Sequence, residues 1–409
     1  MQQQYSDNKQ KNAPPSPRLE TTYRGAARRK APPRRPGLGL LRLVLVGVCG
    51  LCLWWAAVNL HPDSSTAEEA AQAELRSSQD LTSRFLTACN NLKSDALGNI
   101  AYVKKIYTIP ENATAAPRPD AGKFGETTDP AVVQAVIDGA AELLDGQSMA
   151  WTPDTELMPG TSILYYCDES ILALCWKEAR DGSAVTFGEV KIAHGSQFRR
   201  LLANNSYGSS IQLYPSDMAA SANAVVAMNG DFYGFRQVGI TVYQRQLYRN
   251  NGKVLDTCFI TADGEMLFAP AGTLLKEEDT LRFIEDNDVV FSLSFGPILI
   301  QDGEVIPCYS YPAGEVTAYY SRSALGQIDT LHYLLATLGE EGEYQKRVQL
   351  NTFSSFLADK GCRKAYALDG GQTATMVFNG KTFNRVDYGN ERTMSDIIYF
   401  ATAIEGKEG

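Results

Sequence analysis

Apolar and polar positions follow one another differently in successive parts of this chain. Residues 1–36 hold few apolar side chains and are rich in Gln, Pro and Arg, a pattern that predicts a disordered tail. Leu43 to Leu60 is an uncharged run of eighteen residues, with Trp54 and Trp55 inside it. With Gly37–Leu41 in front, it reaches the roughly 20 residues that span a bilayer as a helix. From Ser64 to about Ile106 the apolar positions Leu75, Leu81, Phe85, Leu86, Leu92 and Leu97 recur with a broken helical period. Two readings stay open there: a helical stalk over 61–108 that self-associates, or a short helix packed on the domain that follows.

Residues 109–157 read as a linker and a helix. Asp129-Pro130 supplies the cap and first position of a helix running from Ala131 to Leu144. From 158 to 409 the pattern becomes short apolar runs between turn signals, among them Ala184–Ile192, Val289–Leu293, Leu331–Leu338, Lys364–Leu368 and Ile397–Ala401. Helices are expected at Gln197–Ala203, Pro215–Ala222 and Val348–Lys360. The fold class this predicts is α+β, built on a large mixed β-sheet and preceded by one transmembrane helix and a stalk.

Charge adds an orientation. Residues 1–60 carry ten Lys/Arg and two Asp/Glu, which leaves 28 basic and 45 acidic side chains for the rest. Nine of the ten basic residues lie within 1–36 and Arg42 sits at the edge of the apolar run, so the N-terminus is expected in the cytoplasm and the remainder outside it, as a single-pass membrane protein anchored through 37–60. The acidic bulk excludes a nucleic-acid partner, which would need a basic face. Beyond the anchor six cysteines remain, Cys89, Cys167, Cys175, Cys258, Cys308 and Cys362. Disulfides, including a local Cys167–Cys175 bridge, and buried free thiols are equally compatible with them. With only His61 beside the span, His194 and His332 in that part, a histidine-built zinc site is not expected. The sequence requires no cofactor, and calcium held by carboxylates and carbonyls is compatible with it.

The chemistry gathers in the last 180 residues. Ala365-Tyr-Ala-Leu-Asp-Gly-Gly-Gln-Thr-Ala-Thr375 sets a carboxylate, Asp369, at a strand end beside two glycines that let a ligand approach the backbone. Met228-Asn-Gly-Asp-Phe-Tyr-Gly234 places Asn229 and Asp231 at a turn after an apolar run. Ser292–Glu304 contains Phe295-Gly-Pro297 and an Asp302-Gly303 turn. Ser321-Arg-Ser-Ala-Leu-Gly-Gln327 offers a guanidinium, whose planar donor set matches a phosphate. Glu391-Arg-Thr-Met-Ser-Asp396 precedes the closing strand.

These five blocks, in this order, resemble the phosphodiester glycosidase family. The resemblance implies a hydrolase that cleaves a sugar-1-phosphodiester; the span at 37–60 is expected to anchor it to the membrane, outside the cytoplasm. It implies Asp369, Asp231 and Asp396 as candidate catalytic carboxylates, and Asn229, Gly230, Arg322, Gly370, Gly371, Thr373 and Arg392 as candidate substrate-binding positions. Three departures stand out: Gln372 replaces a third glycine, Ala374 replaces a hydroxyl, and Leu338-Gly-Glu-Glu-Gly342 lacks the family's Asp-Gly-Arg. They favour an alternative, a non-catalytic cell-envelope protein of the same fold that binds a glycan, in an exopolysaccharide setting.

Overall fold

The computed structural model describes residues 107–208 and 210–407. The expected tail at 1–36, the span at 37–60, nearly all of the stalk at 61–108, and Cys89 lie outside the described residues. Among the described residues no helix is long and apolar enough to cross a membrane.

Nineteen strands and five α-helices make up the described part. In chain order the first strands are β1 (Phe124–Thr127), β2 (Ile163–Cys167), β3 (Ile171–Arg180), β4 (Ser183–Ile192), β5 (Phe198–Leu202) and β6 (Val226–Asn229). Then come β7 (Gly239–Tyr243), β8 (Gln246–Asn251), β9 (Thr257–Thr261), β10 (Met266–Ala269), β11 (Val289–Leu293), β12 (Ile298–Gln301) and β13 (Glu304–Val305). The last are β14 (Arg322–Asp329), β15 (His332–Gly339), β16 (Lys364–Leu368), β17 (Met376–Phe378), β18 (Lys381–Thr382) and β19 (Asp396–Phe400). The helices are α1 (Pro130–Gly139), α2 (Ala141–Leu144), α3 (Pro215–Ser221), α4 (Glu277–Asp286) and α5 (Leu350–Asp359).

Nine strands form the large sheet in the order β1-β2-β3-β4-β15-β14-β16-β12-β13, and five form a second sheet, β18-β17-β6-β19-β5. The class α+β is the observed one. The large sheet, however, is not mixed: each of its strand pairs is antiparallel. Short turns join β2 to β3, β3 to β4 and β14 to β15, and a tight turn can only return a strand antiparallel to its neighbour.

Both faces of the large sheet are buried, which is why its strands read as unbroken apolar runs. Leu172, Leu174 and Trp176 of β3 pack with Phe353 and Leu357 of α5, while the alternate Ile171, Ala173 and Cys175 pack with Val226, Met228 and Ile398 of the second sheet. The period of two divides one strand between two cores. The far side of the second sheet is covered by Met218 and Ala219 of α3, beside Ala227, Val377 and Ile397.

Two segments differ from expectation. Gln197–Ala203, expected as a helix, is the strand β5, because its backbone completes the edge of the second sheet against β19. Residues 109–157 do more than link: β1 pairs with β2 at the edge of the large sheet, and α1 starts at Pro130 under the Asp129 cap, whose carboxylate accepts from Ala131 N at 2.9 Å. Cys167, Cys175, Cys258, Cys308 and Cys362 are free thiols. Burial pushes Cys175, Cys258 and Cys362 well above the ordinary thiol range, so they are unreactive core residues.

Candidate active site

The site forms where strands of the two sheets end side by side. β16 stops at Leu368, paired with Ser323 of β14, and β6 of the second sheet stops at Asn229. Asn229 ties these ends together. Its amide donates to Asp369 O at 2.8 Å, and its oxygen accepts from Ser323 Oγ at 2.9 Å and Thr375 N at 3.3 Å. Asn229 is buried and its polar atoms are taken by the protein. It therefore holds the strand ends of the site in place and does not face a sugar.

Immediately after β16 the chain must turn over β14. A Cβ on Gly370 would lie 2.3 Å from Ser321 O, so only glycine fits there, and Gly371 follows at φ +65 and donates to Ser321 O at 2.9 Å. This turn leaves the Asp369 carboxyl in the wall of a cavity of about 220 Å³. Burial is the main reason its proton affinity rises, from the ordinary 3.8 to about 6; Thr373, Arg236 and Arg392 oppose the rise and Asp231 adds to it. The Thr373 hydroxyl also donates to Gly370 O at 2.6 Å, bracing the turn.

Two guanidiniums share the cavity wall with Asp369. Arg322, at the start of β14, donates to the carbonyls of Glu315 at 3.0 Å and Val348 at 3.4 Å and to that of Ala318. Burial lowers its proton affinity to about 10, which still leaves it charged. Arg236 stands 4.6 Å from the centroid of the Phe295 ring and 5.3 Å from that of Phe232, and its Nη1 is buried without a hydrogen-bond partner. Arg392 lies 5.8 Å from Phe232 and 5.6 Å from Phe235. Among the described residues none of these three arginines forms an ion pair with a carboxylate. The second carboxyl on the wall is that of Glu315.

Asp231 and Asp396 do not line this cavity. They flank Arg200 of β5, whose guanidinium lies 2.7 Å from Asp231 Oδ1 and 2.8 Å from Asp396 Oδ2, with all three side chains at most 1% exposed. Asp231 also accepts from Ser294 N at 2.7 Å and Tyr233 N at 2.9 Å. Burial pushes Asp396 up to about 6 against the pull of Arg200, and the charge of Asp231 adds to the push. The three make a buried brace that ties β5, β19 and the turn after β6 to Ser294, just past the end of β11. Gly230 belongs to that brace, since a Cβ there would lie 1.9 Å from Asp396 Oδ2. In place of the carboxylate pair expected from sequence, Asp369 and Asp231, the cavity wall presents Asp369 and Glu315.

The departures also have a physical place. Gln372 donates to Asn390 O at 3.3 Å, joining the Asp369 turn to the loop that carries Asp387, and Ala374 is buried. Sequence reasoning missed Arg236, Glu315, Phe232 and Phe295. Arg236 follows the Asn229 block by only a few residues, so the signal was there in the chain. Glu315 sits in a loop without a motif. Among the described residues no cluster of three or more His, Cys, Asp or Glu is placed to hold a metal ion.

The cleft thus sets a carboxyl of raised proton affinity beside guanidiniums that form no ion pair with a carboxylate among the described residues. The family model described as phosphodiester glycosidase matches residues 222–401, so the resemblance read from the motifs is shown over that segment. Among solved structures, a Synechocystis protein is similar at 15% identity and TM-score 0.44, over 61% of this chain and 64% of its own length. The zebrafish N-acetylglucosamine-1-phosphodiester alpha-N-acetylglucosaminidase catalytic domain, auto-inhibited by its pro-peptide, is similar at 16% identity and TM-score 0.44, over 73% of this chain and 99% of that domain. No curated protein matches the chain in sequence.

Proposed function

We propose that this protein hydrolyses a sugar-1-phosphodiester, breaking the bond between C1 of the sugar and the phosphate oxygen. The observation that carries the reading is the company Asp369 keeps: one cavity wall holds its carboxyl, Arg236 and Arg322, and neither arginine forms an ion pair with a carboxylate among the described residues. A phosphodiester carries the charge and the oxygen geometry that such guanidiniums accept.

The chemistry follows from the proton on Asp369. When the anionic phosphodiester enters, its charge raises the proton affinity of a nearby carboxyl further, so Asp369 meets its substrate protonated. As the C1–O bond breaks, Asp369 gives its proton to the departing phosphate oxygen, and Arg236 and Arg322 hold the charge that develops there. The departing phosphomonoester has a second pKa near 6, about that of Asp369, and such a match suits general acid catalysis. Water adds to C1, and its proton passes to Glu315, the second carboxyl on the wall. The products are a free sugar and a phosphomonoester.

The uncharged run Leu43–Leu60, with basic residues before it, supports a membrane tether that holds this domain outside the cytoplasm. Protease protection of residues 1–36, but not of 107–409, in sealed vesicles is the expected result.

The test of the function is sugar release by the full-length protein from UDP-N-acetylglucosamine and a panel of sugar-1-phosphodiesters, beside Asp369→Asn. Release that the variant lacks supports hydrolysis. Binding of the panel without release by either protein moves the reading to a glycan-binding protein. For an acid with a proton affinity near 6, kcat/KM is expected to fall as pH rises above about 6.

A further inference from the structure

The Asp369 cavity continues outward along a stack of alternating rings and guanidiniums. Phe295, in the cavity wall, meets Arg236, which meets Phe232; Phe232 stacks on Phe235 at 4.2 Å and 12°, and Arg392 lies by both of those rings. The stack ends at the surface, where Phe235 is 38% exposed and Arg392 is exposed. Phe232 takes a left-handed backbone, φ +67, a conformation uncommon for a bulky side chain and one that collects at functional sites.

Packing alone explains this stack poorly. Two cations lie within 5.8 Å of the Phe232 centroid, and like charges so placed repel unless an anion joins them. Neither forms an ion pair with a carboxylate among the described residues, although acidic residues outnumber basic ones by 45 to 28 beyond residue 60, and the one carboxyl whose charge reaches both, Asp369, holds its proton up to about 6. A buried donor without a partner, Arg236 Nη1, is costly to leave unmade. Exposed aromatic faces beside such cations suit the apolar faces of sugar rings.

We propose that Arg392, Phe232 and Phe235 form a second anion-and-sugar subsite, and that the substrate is a chain of sugars joined by successive phosphodiesters. This rests on the hydrolase reading above and deepens it. Arg236 and Arg322 hold the phosphate that is cleaved. Arg392 holds the next phosphate along the chain, and the Phe232–Phe235 plate receives the sugar between the two.

The experiment uses the full-length protein and synthetic, methyl-capped chains of N-acetylglucosamine joined through 1-phosphodiesters, with one, two or three phosphates. The expected result is a kcat/KM roughly three- to tenfold higher for two phosphates than for one, carried by KM. In Arg392→Gln and in Phe235→Ala that ratio falls to about one. Equal kcat/KM for one and two phosphates in the wild type overturns the proposal, as does a ratio unchanged in both variants. If no chain is cleaved, the hydrolase reading fails, and calorimetry with methyl phosphate and tripolyphosphate decides the subsite. Tighter binding of tripolyphosphate that Arg392→Gln removes supports the subsite, and equal binding of the two probes overturns it.

Discussion

At the scale of single residues, the proposed chemistry turns on one proton. Asp369 holds it up to about 6 because the turn at Gly370-Gly371 leaves the carboxyl largely shut off from water. The folded protein thus binds that proton more tightly than the unfolded chain does. The favourable contribution is complete below 3.8 and is lost as pH rises through about 6. Asp369→Asn removes the ionising group, and at pH 7 it is expected to stabilise the fold by about 1–3 kcal/mol while abolishing turnover. Thermal unfolding at pH 5 and pH 7 checks it: the gain should be larger at pH 7. Asp369 was legible in the sequence because an apolar run, a carboxylate and two glycines stand in immediate succession. Glu315 was not, because nothing around Ala313-Gly-Glu315 marks a loop as facing a cavity. Asp231 and Asp396 show the opposite limit: their motifs are plain, but only folding shows both carboxylates turned onto Arg200.

At the scale of elements, β5 is the instructive strand. Phe198-Arg-Arg-Leu-Leu202 has no alternation that separates strand from helix, and Arg199-Arg200 gave no reason to expect a buried residue. Its conformation is fixed by pairing with β19 and by the two acids that receive Arg200. Removing one partner of a buried ion pair leaves charge uncompensated, so Arg200→Met is expected to cost about 3–5 kcal/mol. Replacing Asp231 and Asp396 by Asn in the same chain should recover part of that. Urea unfolding of the three proteins measures it, and a neutral Arg200→Met would contradict the brace. By contrast, Lys364–Leu368 and Val289–Leu293 were readable to the residue, since each is a short apolar run bounded by turn or polar residues. The strand β3 carries the same kind of unbroken apolar run, Ile171–Trp176, that two buried faces require, and was not picked out.

At the scale of the whole molecule, two sheets packed face to face bring strand ends from distant parts of the chain to one cavity. Asn229 is the joint: its amide binds Asp369 O from β6 while its oxygen binds Ser323 of β14 and Thr375. Asn229→Ala is expected to leave these groups unpaired at a cost of about 1–3 kcal/mol, and to lower kcat more than it changes KM. Parallel unfolding and rate measurements check both parts. The order of motifs along the chain announced the family resemblance, which the family model matches over 222–401. The distances that make them a site come from topology, which no motif encodes.

The most direct test of the central claim is hydrolysis in water enriched in oxygen-18, followed by mass spectrometry of both products. Cleavage between C1 and oxygen, with Asp369 protonating the departing phosphate, predicts that the heavy oxygen appears in the sugar and that Asp369→Asn forms neither product. Heavy oxygen in the phosphomonoester would mean attack at phosphorus, and would contradict the account.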